Sequence, residues 1–357
     1  MGGRAKLTKT TMRILYLSRS KMNHSVNAVY IKGLRLNGAD VKEVFVRHDE
    51  FFELIKYLVS NRKTFDSVFV GYDSPQLVIL SKLFSRKKVT YNALCSVYER
   101  LIVSRAFAPP YSVKALYYWF LDFLSFNLAD LTMVETDSQA DYCAKFFLAP
   151  RKKFFRAWTG VDEEKFYFNP DIDKFSRFTV IFRGQFLPES GVEYAIKAAK
   201  ILENEDINFI IHGGGFNADK IKKLVEDLKP KNLRMITDFL PAEELRTLMQ
   251  KCHLSLGQLS DHPRLERTVP HKAFESLAMK LPYLTVSNKG VLELLKTGEV
   301  CVSCELASAE SLAKKILWSK GHPQELERTA ENGYLLYKDK LNSLVLAKKL
   351  LAHINLL

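Results

Sequence analysis

Short apolar runs rich in β-branched and aromatic residues recur along this chain, and stretches with helical apolar spacing lie between them. Arg13 to Ser18, Val41 to Val46, Ser67 to Val70, Val89 to Tyr91, Leu131 to Val134 and Phe154 to Ala157 read as strands. Val29 to Leu36 reads as a helix that stops before Gly38. This β-α-β-α order predicts an α/β fold with a parallel sheet covered on both faces and ligands at the carboxyl ends of its strands. Trp158 to Arg177 breaks the rhythm: it is acidic, carries Pro170, and lacks periodicity, as an interdomain linker does. The pattern then restarts. Phe178 to Arg183, Asn208 to His212, Leu233 to Ile236, His253 to Leu256 and Tyr283 to Val286 read as strands. Helices open near Pro188, Asn217 and Pro241, and another surrounds Glu275. Two doubly wound, Rossmann-like domains are therefore expected, residues 1–165 and 166–340, facing a cleft. A last apolar helix, Leu341 to Ile354, lies within a closing segment 341–357.

A length of 357 residues fits two ordinary domains, and 47% hydrophobic with 26% charged residues fits globular cores. Five cysteines, an odd number, favour a reduced, cytoplasmic setting. Cys301 and Cys304 have no second pair at metal spacing and read as packing residues. No apolar run reaches the ~18 residues of a spanning helix. Residues 1–6 read as an extension, and Gly2 lacks the following pattern of a myristoylation signal. The net charge of +13 is unevenly placed: residues 1–160 hold 25 Lys and Arg against 13 Asp and Glu, the remainder 28 against 27. Such asymmetry points the first half at an anion. No nucleic-acid motif accompanies it, so nucleic acid is set aside in favour of an anionic membrane surface or a pyrophosphate-linked lipid. Ala115 to Leu128 holds six aromatics in fourteen residues; it reads as a crossover helix, with contact at a membrane interface as the other reading.

Candidate chemistry concentrates between Arg264 and Val286. A basic turn with Arg264, Arg267 and Lys272 opens a helix whose one acid is Glu275. A helix N-terminus favours anions through free N–H groups and its dipole. Cations there and a carboxylate one turn in suit a ligand with a diphosphate at one end and sugar hydroxyls at the other, as in a nucleotide-sugar.

The segment resembles the donor-binding helix of glycosyltransferase family 4, retaining enzymes of the GT-B fold. The turn Arg267-Thr268-Val269-Pro270-His271-Lys272 is similar to the Arg-x-x-Pro-x-Lys turn of a polysaccharide-biosynthesis branch. Phe182 to Glu193 resembles the family's strand-turn-helix at the start of the second domain, and His212 to Gly215 its glycine loop. Ala129 to Thr136 and Trp158 to Phe166 resemble the end of the first domain. The resemblance implies that Glu275 accepts hydrogen bonds from the nucleotide ribose, with Arg267 and Lys272 beside it in the catalytic group. It implies donor contacts from Arg183, Gly184, Gln185, Ser190, Gly213, Gly214, Gly215, Arg264, Thr268, Val269 and Pro270. Lys21, Asn23, His24, Asn92, Glu99 and Arg105 fall on the acceptor side.

Three positions depart from the family pattern: Arg267 stands where a second glutamate is usual, and Gln185 and Ser190 where an arginine and a lysine are usual. The implied activity is retaining, metal-independent hexosyl transfer, without a cofactor, from a nucleotide-sugar to a saccharide or polyprenyl-diphosphate-linked acceptor. It would take place in the cytoplasm or on the cytoplasmic face of a membrane. The departures keep a noncatalytic, glycosyltransferase-like partner subunit as the alternative.

Overall fold

A computed structural model describes residues 11–354; the N-terminal extension and Gly2 lie outside them. Two six-stranded sheets, every neighbouring pair parallel, make up the framework. The first contains β1 (Arg13–Ser18), β2 (Asp40–Phe45), β3 (Ser67–Val70), β4 (Lys88–Leu94), β5 (Leu131–Val134) and β6 (Phe154–Arg156), in the spatial order β2-β1-β3-β4-β5-β6. The second contains β7 (Phe178–Gln185), β8 (Ile207–Gly214), β9 (Leu233–Ile236), β10 (Leu254–Leu256), β11 (Tyr283–Val286) and β12 (Val302–Cys304), in the order β12-β11-β10-β7-β8-β9. The strand order reverses between β1 and β3 and again between β7 and β10, which are the places where such sheets open a crevice for ligands.

The continuous apolar strands follow from helices on both faces. Leu15, Leu17, Val68, Val70 and Val134 point into one core, while their neighbours Ile14, Tyr16, Phe69, Leu131 and Met133 point into the other. The second sheet repeats the arrangement, with Val180, Phe182, Ile211 and Leu256 on one side and Ile181 and Ile210 on the other. Where both faces are dry, no polar alternation survives in the sequence; the edge strand β2, partly wet, keeps it. Cys301-Val302-Ser303-Cys304 forms the edge strand β12 and the residue before it, a strand the hydrophobic pattern did not announce; both thiols are buried, and burial pushes each up to about 12.

The helix Val113–Leu128 divides its surface. Ala115, Leu121 and Phe126 are buried, whereas Leu116, Tyr117 and Phe120 face outward. No described helix is long and apolar enough to cross a membrane.

Residues 158–177 pass between the sheets without regular structure and are pinned along their length. Tyr30 donates its hydroxyl to the Trp158 carbonyl at 2.8 Å, and Gln250 bonds the backbone at both Tyr167 and Asn169. The C-terminal helix Ser343–Ile354 returns to pack on the helix Ser25–Leu36. Gly33 allows this crossing, since a Cβ there would stand 2.1 Å from the Ser343 carbonyl oxygen and 2.7 Å from Ala347 Cβ.

Candidate active site

The carboxyl ends of the two sheets meet. From the second sheet come the end of β7, the loop after β10 and the helix His271–Ala278; from the first come the loops after β1, β3, β4 and β5. Glu275 lies on the inner face of its helix, 2% exposed. Its Oε1 pairs with Arg183 at 2.9 Å and with His271 Nδ1 at 3.1 Å, while Oε2 is buried with no protein partner. Burial pushes this carboxyl upward, but the Arg183 charge, then the His271 hydrogen bond, outweigh it and hold it below the usual range. The result is an ionised carboxylate with one buried acceptor oxygen that has no protein partner.

Lys272 lies one turn earlier and is also buried. Its ammonium sits 3.6 Å over the Phe182 ring and 3.5 Å from the Gly257 carbonyl, directly beneath Gly184. Burial, then repulsion from Arg183, brings it down to about 7, with Glu275 opposing. The close fit of β7 on β8 explains one of the glycines: a Cβ on Gly213 would lie 1.9 Å from the Gly184 carbonyl oxygen. Gly214 has open space around it and Gly215 takes φ +98°, so the loop leaves bare backbone beside Gln185. Ser190 is buried with its hydroxyl unpartnered, and its carbonyl accepts from Leu259 N–H at 3.2 Å. Asp171-Ile172-Asp173 has the spacing of an Asp-x-Asp motif but is exposed in the linker, ahead of the amino end of β7, at the opposite end of that strand from this pocket.

The basic turn splits its duties. Arg264 and Arg267 belong to the short helical turn Pro263–Arg267 and reach across to the first half. Arg267 pairs with the fully buried Glu99 at 2.6 Å and covers the Tyr142 ring at 4.1 Å; Gln139 donates to the other Glu99 oxygen at 2.7 Å. Arg264 pairs with Glu189 at 2.5 Å and touches Cys95 Sγ at 3.4 Å, and Ser104 donates to Glu189 at 2.8 Å. Despite its burial, the Arg264 guanidinium is held above its usual range by Cys95, Glu189 and other carboxylates. Both arginines are thus neutralised by protein carboxylates in this state, leaving Lys272 as the buried cation without an acid within ion-pair distance among the described residues. Thr268, Val269 and Pro270 carry the chain from this turn into the helix. Thr268 packs against Gly290, where a Cβ would stand 2.6 Å from Thr268 N, and Thr136 donates to the Arg267 carbonyl at 2.6 Å.

On the facing wall His24 stacks on Tyr72 at 5.4 Å. Burial, then the nearby His271 at the start of the Glu275 helix, lowers its titration. Lys21 and Asn23, in the same loop, are exposed, and Asn23 lines an outer groove with Lys32 and Asp162. Asn92 is buried on β4 with its amide nitrogen unpartnered; Arg105 ends the turn Glu99–Ser104. The structure thus gathers Glu275, Lys272, Arg183, Gly184 and Gly213 to Gly215 in one cluster, with His24 near its His271 end, and places Arg264, Arg267 and Glu99 in the contact between the halves.

Residues that sequence reasoning missed also occupy that contact. Glu293, from the short helix Lys289–Leu292 and the residue after it, accepts from Asp137 N–H at 2.6 Å and from Ser138 N–H and Oγ at 2.8 and 2.6 Å. A carboxylate of one half thereby caps the helix Asp137–Phe146 of the other. Glu135, beside it, is buried and pushed up to about 8 by burial, against the pull of Arg264. A Thr-Asp-Ser run at the helix start was the available signal for a cap, though nothing local points to Glu293 as its partner.

Residues 168–336 match the family described as Glycosyl transferases group 1. No curated protein matches the chain. Among solved structures, Anabaena HepE in complex with UDP is 13% identical, with 97% of this chain and all of that one covered and a TM-score of 0.73. HepE in complex with UDP-glucose gives 14%, the same coverage and 0.72. Sucrose-phosphate synthase from Thermosynechococcus elongatus is 12% identical over 97% of this chain and 98% of that one, at 0.71. The fold is GT-B, and residues 168–336, in its second half, are similar to the group 1 glycosyl transferases.

Proposed function

We propose that the protein is a retaining glycosyltransferase that takes a sugar from a nucleoside-diphosphate sugar. The observation that carries this reading is the unoccupied, buried Oε2 of ionised Glu275 beside Lys272. A carboxylate with a free lone-pair edge accepts a ribose hydroxyl with charge-assisted strength. The ammonium one turn away and the N-terminal N–H groups of the same helix meet the diphosphate, and Gly214 and Gly215 let it approach the backbone. HepE's complexes with UDP and UDP-glucose support a uridine nucleotide as the first donor to test.

In this reading the leaving diphosphate accepts the proton of the incoming hydroxyl on the same face of the sugar, so configuration is retained without a protein base. The chain's contribution is electrostatic: Lys272 and the helix stabilise charge as it gathers on the departing diphosphate. These groups supply that charge without a metal ion. The acceptor, a saccharide or a polyprenyl-diphosphate-linked glycan, lies against the basic first half, opposite His24, at a cytoplasmic membrane face.

Thermal unfolding with UDP and UDP-glucose tests the donor. Ligand at a hundred times its Kd should add about 2.7 kcal/mol of apparent stability, and Glu275→Ala should abolish most of that gain. An unchanged melting curve with either nucleotide in the parent protein would overturn the donor reading. A noncatalytic role is favoured by the neutralisation of Arg264 and Arg267 and by Gln185 and Ser190 where cations are usual. It predicts nucleotide binding without any donor hydrolysis or transfer.

A further inference from the structure

A second opening, about 450 Å³, lies at the carboxyl ends of β1 to β3, beside the place where the strand order of the first sheet reverses. Its lining has two chemistries: Arg19, Arg100, His48 and Asp73 are charged or polar, and Leu101, Tyr117 and Leu121 are apolar. Arg19 is held in place, its backbone N–H on Ser74 Oγ at 2.8 Å and its guanidinium on Gln76 Oε1 at 3.0 Å. Among the described residues no carboxylate forms an ion pair with it. Arg100 is paired with Asp73 and lies 5.8 Å from the Tyr72 ring centre. Two guanidiniums against one carboxylate leave net positive charge, in the fork geometry that suits phosphate.

The apolar part of the lining continues outward instead of closing. Tyr117 is 54% exposed, and the same helix presents Leu116 at 65% and Phe120 at 50%, just after a fully exposed Tyr111. Contiguous exposed apolar surface of this kind marks a contact site. A free saccharide leaves it wet, and a free phosphate ignores it. An amphipathic ligand uses both parts at once.

We propose that this opening binds the phosphate of a lipid-linked acceptor, whose hydrocarbon chain runs over Tyr117, Leu116 and Phe120 toward a bilayer. Only the word acceptor rests on the glycosyltransferase reading; the binding site does not. The probe is farnesyl phosphate below its micellar concentration, titrated calorimetrically into the full chain, with farnesol and inorganic phosphate as the two half-ligands. Farnesyl phosphate should bind at least tenfold more tightly than either. Arg19→Gln should weaken it roughly tenfold, the loss of one charge-assisted contact. Leu116→Ser with Tyr117→Ser should weaken it severalfold, and Lys272→Met should leave it unchanged.

Farnesol binding as tightly as farnesyl phosphate removes the phosphate site from the account, and equal affinity for inorganic phosphate removes the lipid. Loss of binding in Lys272→Met with retention in Arg19→Gln puts the probe in the donor pocket and overturns the proposal. These comparisons stand even where a variant fails to fold, because the three ligands are first ranked on the parent protein. UDP titrated in parallel separates the two readings: absent UDP binding with farnesyl phosphate binding as expected sinks the donor assignment and supports this one.

Discussion

At the scale of single residues, function here depends on which charges are already spent. Arg267 and Arg264 face Glu99 and Glu189, so on the proposed reading a diphosphate would meet Lys272 first. Glu275→Ala removes up to two charge-assisted hydrogen bonds to ribose, roughly 1.5–3 kcal/mol each, and should weaken UDP at least about tenfold by calorimetry while circular dichroism stays native. Lys272 gives a pH signature. It titrates at about 7 in the empty protein, and an anion bound beside it raises that value. The complex therefore holds more protons than the free protein above pH 7, and affinity must fall as pH rises, by up to about tenfold per unit. Lys272→Met should bind UDP weakly and with no such slope; a parent protein whose affinity is flat from pH 7 to 9 would contradict it. Arg267→Glu sets a carboxylate against buried Glu99. It should cost about 3–5 kcal/mol of stability, the scale on which an orphaned buried charge is felt, in a urea melt.

Between elements, a helix cap ties the halves together. Glu293 supplies one carboxylate to three donors on the helix Asp137–Phe146. Glu293→Ala leaves those donors to water and should loosen the contact without unfolding either sheet. Small-angle scattering of the empty variant should then show a larger radius of gyration, shrinking again with UDP; a radius equal to the parent's in the empty state would count against the cap as a fastener. The strand framework was legible because dry, helix-covered parallel strands are written as short apolar runs, and ten of them announced themselves that way. β12 was missed because a three-residue edge strand carrying two cysteines and a serine has no apolar run to announce it. β2 was seen, one residue out of step, because its outer residues are partly wet and alternate. The pocket's own wall was legible through Glu275, Lys272 and the glycine loop, which are close in sequence to the features that mark them. Glu189, Glu293, Glu99 and Tyr142 act on partners 75 to 168 residues away. Such pairings are properties of the closed arrangement, and no local pattern encodes them.

For the whole molecule, charge and shape divide by half. The basic first half also carries the exposed aromatic edge of the helix Val113–Leu128, so sedimentation with vesicles should favour anionic over neutral lipid and weaken as salt rises. Binding indifferent to both would remove the membrane from the account. The returning C-terminal helix has a consequence of a different kind. Leu346, Ala347 and Leu350 are packed into the same core as Ile14, Val29 and Leu34, so the first half is completed by a helix that follows the whole of the second sheet in the chain. On a ribosome adding about 5–20 residues per second, the helix Ser25–Leu36 waits roughly 15–60 s for its cover. Throughout that interval a nascent chain displays an apolar face around Gly33 that the finished protein never shows. Ending translation at Lys340 should make the interval permanent. The shortened chain should bind a hydrophobic dye and aggregate even though the twelve described strands are all present, and a chaperone that shields nascent chains should matter until the helix Ser343–Ile354 has been made.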